Sequence, residues 1–116
     1  MIFRNRTRNV VLSDRTRIAN TLVTRLVGLL SSKGLASGEG LWIEPCNSIH
    51  TMFMRFTIDA VFLDKQGNVV KLKSRMKAWR MTAISPKARG VLELPEGTIE
   101  KTGTQVGDAI EREAKA

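Results

Sequence analysis

The longest apolar stretch of the chain runs from Ile49 to Asp64 and includes His50, Arg55 and Asp59. In an extended conformation, successive side chains point to opposite faces. One face of this stretch is then apolar, and the other carries Arg55 and Asp59 among apolar neighbours. A helix here would be apolar on every side, and Thr, Ile, Val and Phe favour strands. The pattern therefore predicts a long central β-strand, bent or bulged along its length.

Other apolar runs lie between turn signals and predict further short strands. The Asp, Gly and Asn residues of 64–68 indicate a hairpin turn after the central strand. The additional predicted strands are Arg8–Leu12, Leu41–Glu44, Val69–Lys73, Gly90–Pro95 and a last strand that follows a Gly-Asp turn within Gln105–Glu111. Residues 96–103 predict one or two helical turns that end at Gly103.

An amphipathic helix is predicted from Arg15 to Leu30. Leucine and isoleucine recur there at helical spacing, and Ser13-Asp14 fits a helix N-cap. Residues 31–40 are rich in Gly and Ser and indicate a loop. Together the elements predict a mainly β fold of the α+β class: a compact antiparallel β-barrel or sandwich with one packed N-terminal helix.

With 116 residues, the chain is expected to form a single domain, 1–116, with its core at about 10–111. No apolar run reaches the roughly 18 residues of a membrane span. The basic N-terminus is not followed by the apolar segment of a signal peptide, so a soluble cytoplasmic protein is the default expectation, although removal of a leader would leave the same sequence. The single cysteine, Cys46, excludes an internal disulfide.

The net charge of +8 is unevenly distributed. Between Lys65 and Leu92 there are eight Lys or Arg residues and no acid, whereas the segment from Glu93 onward holds six acids. A positive field of this kind attracts nucleic acid, anionic headgroups or acidic proteins. No recognisable nucleic-acid motif accompanies the basic residues, and a solvated surface accounts for them equally.

Several separate motifs, in this order, resemble the domain of unknown function 192 family. They are G-E-G-L-W-I at 38–43, the stretch S-I-H-T-M-F-M-R-F-T-I-D-A-V-F-L-D at 48–64, A-W-R at 78–80, A-R-G-V-L-E-L-P-E-G at 88–97 and V-G-D at 106–108. The resemblance extends from about Val10 to Ile110. It implies a small β-rich fold with one helix and no established reaction.

Three residues could support catalysis or metal binding. Cys46, His50 and Asp59 are the residue types of a nucleophile, its base and an orienting carboxylate, as in a cysteine-based hydrolase or transferase. The same residues could ligate a metal, but one cysteine and one histidine are too few for a closed zinc site. Alternatively, Cys46 is a small side chain that fills the core, and His50 is a hydrogen-bonded strand residue. No cofactor or metal is expected.

The mixed face of the central strand suggests a binding pocket instead. Arginine binds carboxylate or phosphate with its planar fork, and Trp79 could provide an apolar wall. The candidate ligand-binding residues are His50, Arg55, Asp59, Trp79, Arg80, Arg89 and Glu93. The alternative is an ion-pair network that fixes strand register.

The function favoured by the sequence is a non-catalytic binding or accessory module. Its partner is expected to be an anionic small molecule, an acidic peptide, a glycan or a protein. The alternatives are the hydrolase or transferase built on Cys46 and His50, and non-specific nucleic-acid binding through residues 65–89.

Overall fold

A computed structural model describes residues 1–19, 34–46, 48–50, 56–77 and 82–114, with only the backbone described at 48–50 and at Thr82. The strands are β1 Ile2–Asn5, β2 Val10–Ser13, β3 Arg15–Ala19, β4 Glu39–Ile43, β5 Ser48–His50, β6 Ile58–Leu63, β7 Val69–Met76, β8 Thr82–Ile84, β9 Gly90–Pro95 and β10 Ile110–Glu113. Within these described ranges, a short helix, α1, spans Thr98–Thr102. The prediction of a mainly β fold is confirmed.

The described strands form three sheets. A five-stranded sheet has the order β3-β4-β9-β6-β7, a three-stranded sheet the order β10-β1-β2, and β5 and β8 form a two-stranded ribbon. The pair β3–β4 is parallel, and the other pairs are antiparallel. The described strands do not close into a barrel, so the sandwich is the correct form of the prediction.

The first core lies between the three-stranded and five-stranded sheets. Phe3, Leu12 and Ile110 pack there against Trp42 and other apolar side chains of the five-stranded sheet. The rings of Phe3 and Trp42 lie 5.3 Å apart between centroids. The same cluster includes Ile99, so α1 is docked onto this core. Burying these side chains is the main source of stability in the sandwich.

The opposite face of the five-stranded sheet bears a second core. Ile58, Ala60 and Phe62 of β6 pack there with other apolar side chains, including Ala83 of the ribbon. A third, smaller cluster joins Ala19, Leu41 and Ile43 at the β3–β4 side of the sheet. The five-stranded sheet is therefore the middle layer, with the ribbon over one face and the three-stranded sheet over the other.

The prediction of a helix from Arg15 to Leu30 is wrong in its first part. Arg15–Ala19 form strand β3, which pairs with β4, and residues 20–30 lie outside the described residues. Ser13 does not begin a helix; it ends β2 as a buried residue, and its hydroxyl bonds that of Thr16. The β-branched side chains of Thr16 and Ile18 suit the strand.

The central run is divided between two sheets. Ser48–His50 pair with β8 in the ribbon, and Ile58–Leu63 form β6 in the five-stranded sheet. The prediction of one long strand is therefore wrong, and residues 51–55 lie outside the described part of the chain. All six residues of β6 are buried because both faces of the middle sheet are covered. A strand that is buried on both faces has a continuous apolar sequence, so the sequence pattern does not show at which residue the strand begins.

Several predicted elements are confirmed. The hairpin β6–β7, strand β9 and strand β10 lie where the pattern indicated them, although β7 continues to Met76 and β2 begins at Val10 rather than at Arg8. Gly103 ends α1 with φ of 70°, the left-handed conformation that glycine adopts without strain. In the described residues, no helix is long and apolar enough to cross a membrane.

Candidate functional site

The seven predicted site residues are distributed over several parts of the molecule. His50 ends β5, where its backbone pairs with Thr82. Arg55, Trp79 and Arg80 lie outside the described residues. The remaining three, Asp59, Arg89 and Glu93, have different surroundings.

Asp59 is fully buried, and both of its carboxylate oxygens accept backbone hydrogen bonds. Oδ1 accepts the N–H of Arg75 at 2.9 Å, and Oδ2 accepts the N–H of Ile99 at 2.8 Å. Arg75 has a φ of 51°, so the carboxylate stabilises an unusual backbone conformation in β7 as well as the first turn of α1. These two contacts give Asp59 a structural role.

Asp59 and Glu93 lie on opposite faces of the five-stranded sheet. In the β6–β9 pair, Asp59 is opposite Leu94, and Ala60 is opposite Glu93. Residues that are paired across strands share a face, and neighbours along a strand do not. One pocket on one face of this sheet cannot contain both carboxyl groups.

Arg89 belongs to a group of four side chains that we call the Glu44 cluster: Trp42, Glu44, Arg89 and Arg112. Glu44 accepts hydrogen bonds from Trp42 Nε1 at 2.9 Å, from Arg89 Nε at 3.3 Å and from Arg112 Nη1 at 3.1 Å. The bond from Trp42, with those from the two arginines, lowers the pKa of Glu44 against the opposing effect of burial. Glu44 is therefore held ionised.

Glu93 is the most unusual titratable residue of the described chain. Its side chain is buried in the middle of β9, and among the described residues its Oε2 has no hydrogen-bond partner. Burial raises the pKa of Glu93 to about 8, and the charge of Arg17 opposes this rise. At neutral pH most of this carboxyl is therefore protonated and can donate a hydrogen bond.

The strand register places Glu93 in the middle of a row of side chains across the five-stranded sheet. From β3 to β7 the row is Arg17, Leu41, Glu93, Ala60, Lys73. Because adjacent strands lie about 4.8 Å apart, the backbones of the two cationic residues are each about 10 Å from that of Glu93. We call this side of the sheet the Glu93 face. The ribbon covers part of it through Ala83.

A cavity of about 470 Å³ opens beside this row at the β3 edge. Arg15, Arg17, Leu35 and Glu39 are among its lining residues. The two arginines are two positions apart on β3 and therefore share a side of the strand. Since Arg17 lines the cavity and its charge also acts on Glu93, it links the open space to the buried carboxyl.

Sequence reasoning missed the two β3 arginines and three members of the Glu44 cluster. Arg15 and Arg17 alternate with Thr16 and Ile18, a period-two signal that was hidden by the helical spacing of the leucines that follow. Trp42 and Glu44 were also two apart in the sequence, but their partner Arg112 is remote along the chain. No local signal indicates such a contact.

The described residues include only part of the two other predicted sites, the Cys46–His50 pair and the basic segment 65–89. Cys46 is half-buried and packs against the two apolar clusters of the Glu93 face. Its geometry with the imidazole of His50 falls outside the described side chains. In the described part of the basic segment 65–89, Arg75 pairs with Glu96 and Glu100, and Arg89 pairs with Glu44.

Comparison with known proteins places the chain among uncharacterised relatives. A UPF0127 protein of Thermococcus sibiricus is 33% identical over 96% of this chain and 74% of its own length. A UPF0127 protein of Pyrococcus horikoshii is 32% identical over 91% of this chain and 94% of its own length.

A solved structure of a protein of unknown function from Novosphingobium aromaticivorans has the same fold. Its TM-score is 0.82 at 19% identity, with 96% of this chain and 83% of that chain covered. The model of the domain of unknown function 192 family, described as "Uncharacterized ACR", matches residues 3–112. The chain therefore belongs to this family, as its motifs had indicated.

Proposed function

We propose that this protein is a non-catalytic binding module for a small ligand with an anionic oxygen group, a carboxylate or a phosphate. The ligand occupies the cavity at the β3 edge and reaches the Glu93 face. The observation that carries the proposal is the pair of arginines, Arg15 and Arg17, that line this cavity. The charge of Arg17 also acts on the buried carboxyl of Glu93, so the cavity and the Glu93 face share one cationic residue.

The charges around the cavity support an anion rather than a cation. Arg15 and Arg17 both line it, and a guanidinium can hold a carboxylate or phosphate with two parallel hydrogen bonds. Arg15 already pairs with Asp14 and donates to the carbonyl of Ser37, so Arg17 is the main candidate for this contact. Glu93 is mostly protonated at neutral pH, so it adds no negative charge beside the cavity. Glu39 is the acid that lines the same cavity and limits how much negative charge a ligand can carry there.

The alternative functions have weaker support. The packing of Cys46 against two apolar clusters favours a filling role over a nucleophile. A hydrolase or transferase built on Cys46 and His50 predicts fast alkylation of this thiol, so labelling at the rate of an ordinary thiol argues against it. Nucleic-acid binding has weaker support because Arg75, in the middle of the basic segment, already pairs with two carboxylates, Glu96 and Glu100.

The proposal is tested by titrating the isotope-labelled protein with acetate and with inorganic phosphate at constant ionic strength. We expect saturable amide shifts centred on Arg17, Leu41 and Glu93. Arg17→Gln should weaken binding tenfold or more, since hydrogen bonds to charged groups contribute about 1.5–3 kcal/mol. Binding that is unchanged in Arg17→Gln, or shifts elsewhere in the protein alone, would contradict the proposal.

The matched control is Arg6→Gln. It removes the same charge from an arginine that is 66% exposed and pairs with Glu111 on the three-stranded sheet. We expect the control to bind both anions like the wild type. A short duplex oligonucleotide is added as a third ligand, and shifts spread over the Lys and Arg residues that vanish as salt rises would favour the nucleic-acid alternative.

A further inference from the structure

A second polar site lies on the other side of the middle sheet, around the Glu44 cluster. Trp42 is opposite Leu92 in the β4–β9 pair, whereas Leu41 is opposite Glu93. The indole and the Glu93 carboxyl therefore point to opposite faces. No residue of the Glu44 cluster lines the cavity at the β3 edge, and Arg89 is the one member that the sequence analysis named as a ligand-binding candidate.

The two arginines of this cluster are held in place before any ligand arrives. Arg89 and Arg112 donate to different oxygens of the same carboxylate, so their guanidinium groups are neighbours. The guanidinium of Arg112 also lies over the indole of Trp42, with its Cζ 5.2 Å from the ring centroid. Ordering long side chains costs entropy, and here Glu44 and Trp42 have already ordered them.

Both arginines retain hydrogen-bonding capacity. An arginine has five N–H donors, and within the described part of the chain each guanidinium donates one hydrogen bond to Glu44. The side chains of Arg89 and Arg112 are 57% and 45% exposed, whereas that of Glu44 is 25% exposed. The positive groups therefore face solvent more than the carboxylate that orients them does.

A small cleft adjoins this pair of arginines. It has a volume of about 220 Å³, and both arginines and Lys65 contribute to its lining. Lys65 belongs to the β6–β7 hairpin turn, which is held by Asp64 Oδ1 accepting the N–H groups of Gln66 and Asn68, each at 2.9 Å. Among the described residues, three cations and two carboxylates line the cleft, and both carboxylates already accept hydrogen bonds.

We propose that this cleft binds a phosphate dianion, either inorganic phosphate or the phosphate group of a small monoester. Neighbouring guanidinium groups supply planar donor forks for its oxygens, and Lys65 supplies a third positive charge. The cleft is smaller than the roughly 300 Å³ at which sites for drug-sized ligands begin, so it suits one anionic group rather than a large ligand.

The test uses the indole N–H resonance of Trp42, which reports directly on the cluster because this group donates to Glu44. The chain has two tryptophans, and the variant Trp79→Phe identifies the Trp42 signal. Inorganic phosphate, glycerol phosphate, sulfate and acetate are titrated separately at pH 7.5, with ionic strength held constant by sodium chloride. We expect a saturable shift with both phosphates, weaker binding of sulfate, and little effect of acetate.

Two variants and one control complete the test. Arg89→Gln and Arg112→Gln should each raise the dissociation constant for phosphate at least tenfold. Arg75→Gln removes a charge of similar exposure, 52%, that pairs with Glu96 and Glu100, and it should bind like the wild type. A linear or absent response to phosphate, equal responses to phosphate and acetate, or unchanged binding in both cluster variants would overturn the proposal.

Discussion

At the scale of single residues, the buried carboxyl of Glu93 couples the stability of the protein to pH. Its folded-state pKa of about 8 lies above the ordinary value of 4.5. Between these two values, the folded state keeps a proton that the unfolded state has lost. The stability associated with this group is therefore fully present below about pH 4.5 and is lost as the pH rises towards 8.

Glu93→Gln should remove this dependence, because the amide stays neutral at every pH. As the pH rises from 5 to 8.5, the wild type should lose a few kcal/mol of its free energy of unfolding through this group, and the variant should not. Urea unfolding at both pH values measures the difference. Glu100→Gln, which changes an exposed carboxylate, is the control, and the same effect in that variant would show that Glu93 is not responsible.

At the scale of secondary-structure elements, Asp59 joins three of them with one side chain. Helix α1 has no side-chain cap from its own N-cap residue, Gly97, and the N–H of Ile99 bonds instead to Asp59 on β6. Asp59→Asn leaves only one acceptor oxygen and places an NH₂ group against a backbone donor. We expect a loss of about 2–4 kcal/mol in the free energy of unfolding.

Asp64→Asn is the matched control for this change. Asp64 also accepts two backbone N–H groups, but both bonds go to a single oxygen in an exposed hairpin turn. The asparagine oxygen can keep them, so the loss should stay below about 1 kcal/mol. Chemical denaturation of the two variants gives the comparison, and equal losses would contradict the role assigned to Asp59.

Elements that are determined by neighbouring residues can be predicted from the sequence, whereas elements that depend on pairing with distant residues cannot. The hairpin turn at 64–68 and the end of α1 at Gly103 follow from turn residues in the sequence, and both are found in the structure. Strand β3 depends on parallel pairing with β4, about twenty residues away, so its own residues did not identify it. Similarly, the site residues Glu93 and Arg17 converge only through the strand register.

At the scale of the whole molecule, a polar network connects the first strand to the last turn. Asn5 is buried, and its amide donates to Asp108 Oδ2 at 2.9 Å and to Thr104 Oγ1 at 3.2 Å. Its Oδ1 accepts the N–H of Arg8, whose guanidinium also contacts Asp108. Burial tends to raise the pKa of Asp108, but the bonds from Arg8 and Asn5 outweigh it and lower this pKa overall.

Asn5→Ala should destabilise the whole sandwich, because it removes the hydrogen bonds to Thr104 and Asp108 and the acceptor of the Arg8 N–H. We expect a loss of about 3 kcal/mol in the free energy of unfolding, measured with urea. Arg8→Gln removes one ion pair from a side chain that is 33% exposed and should cost less. The reverse order of the two losses would contradict the role given to Asn5.

The pairing of β1 with β10 has a consequence for how the protein is made. Ile2 is opposite Glu113, so the first strand of the sandwich receives its outer neighbour only when the last strand is present. Contacts between such distant parts of a chain form slowly. During translation, the apolar side chain of Phe3 is therefore not covered by the completed sandwich until residues 110–113 have left the ribosome. A chaperone that binds nascent chains would find its target at this strand.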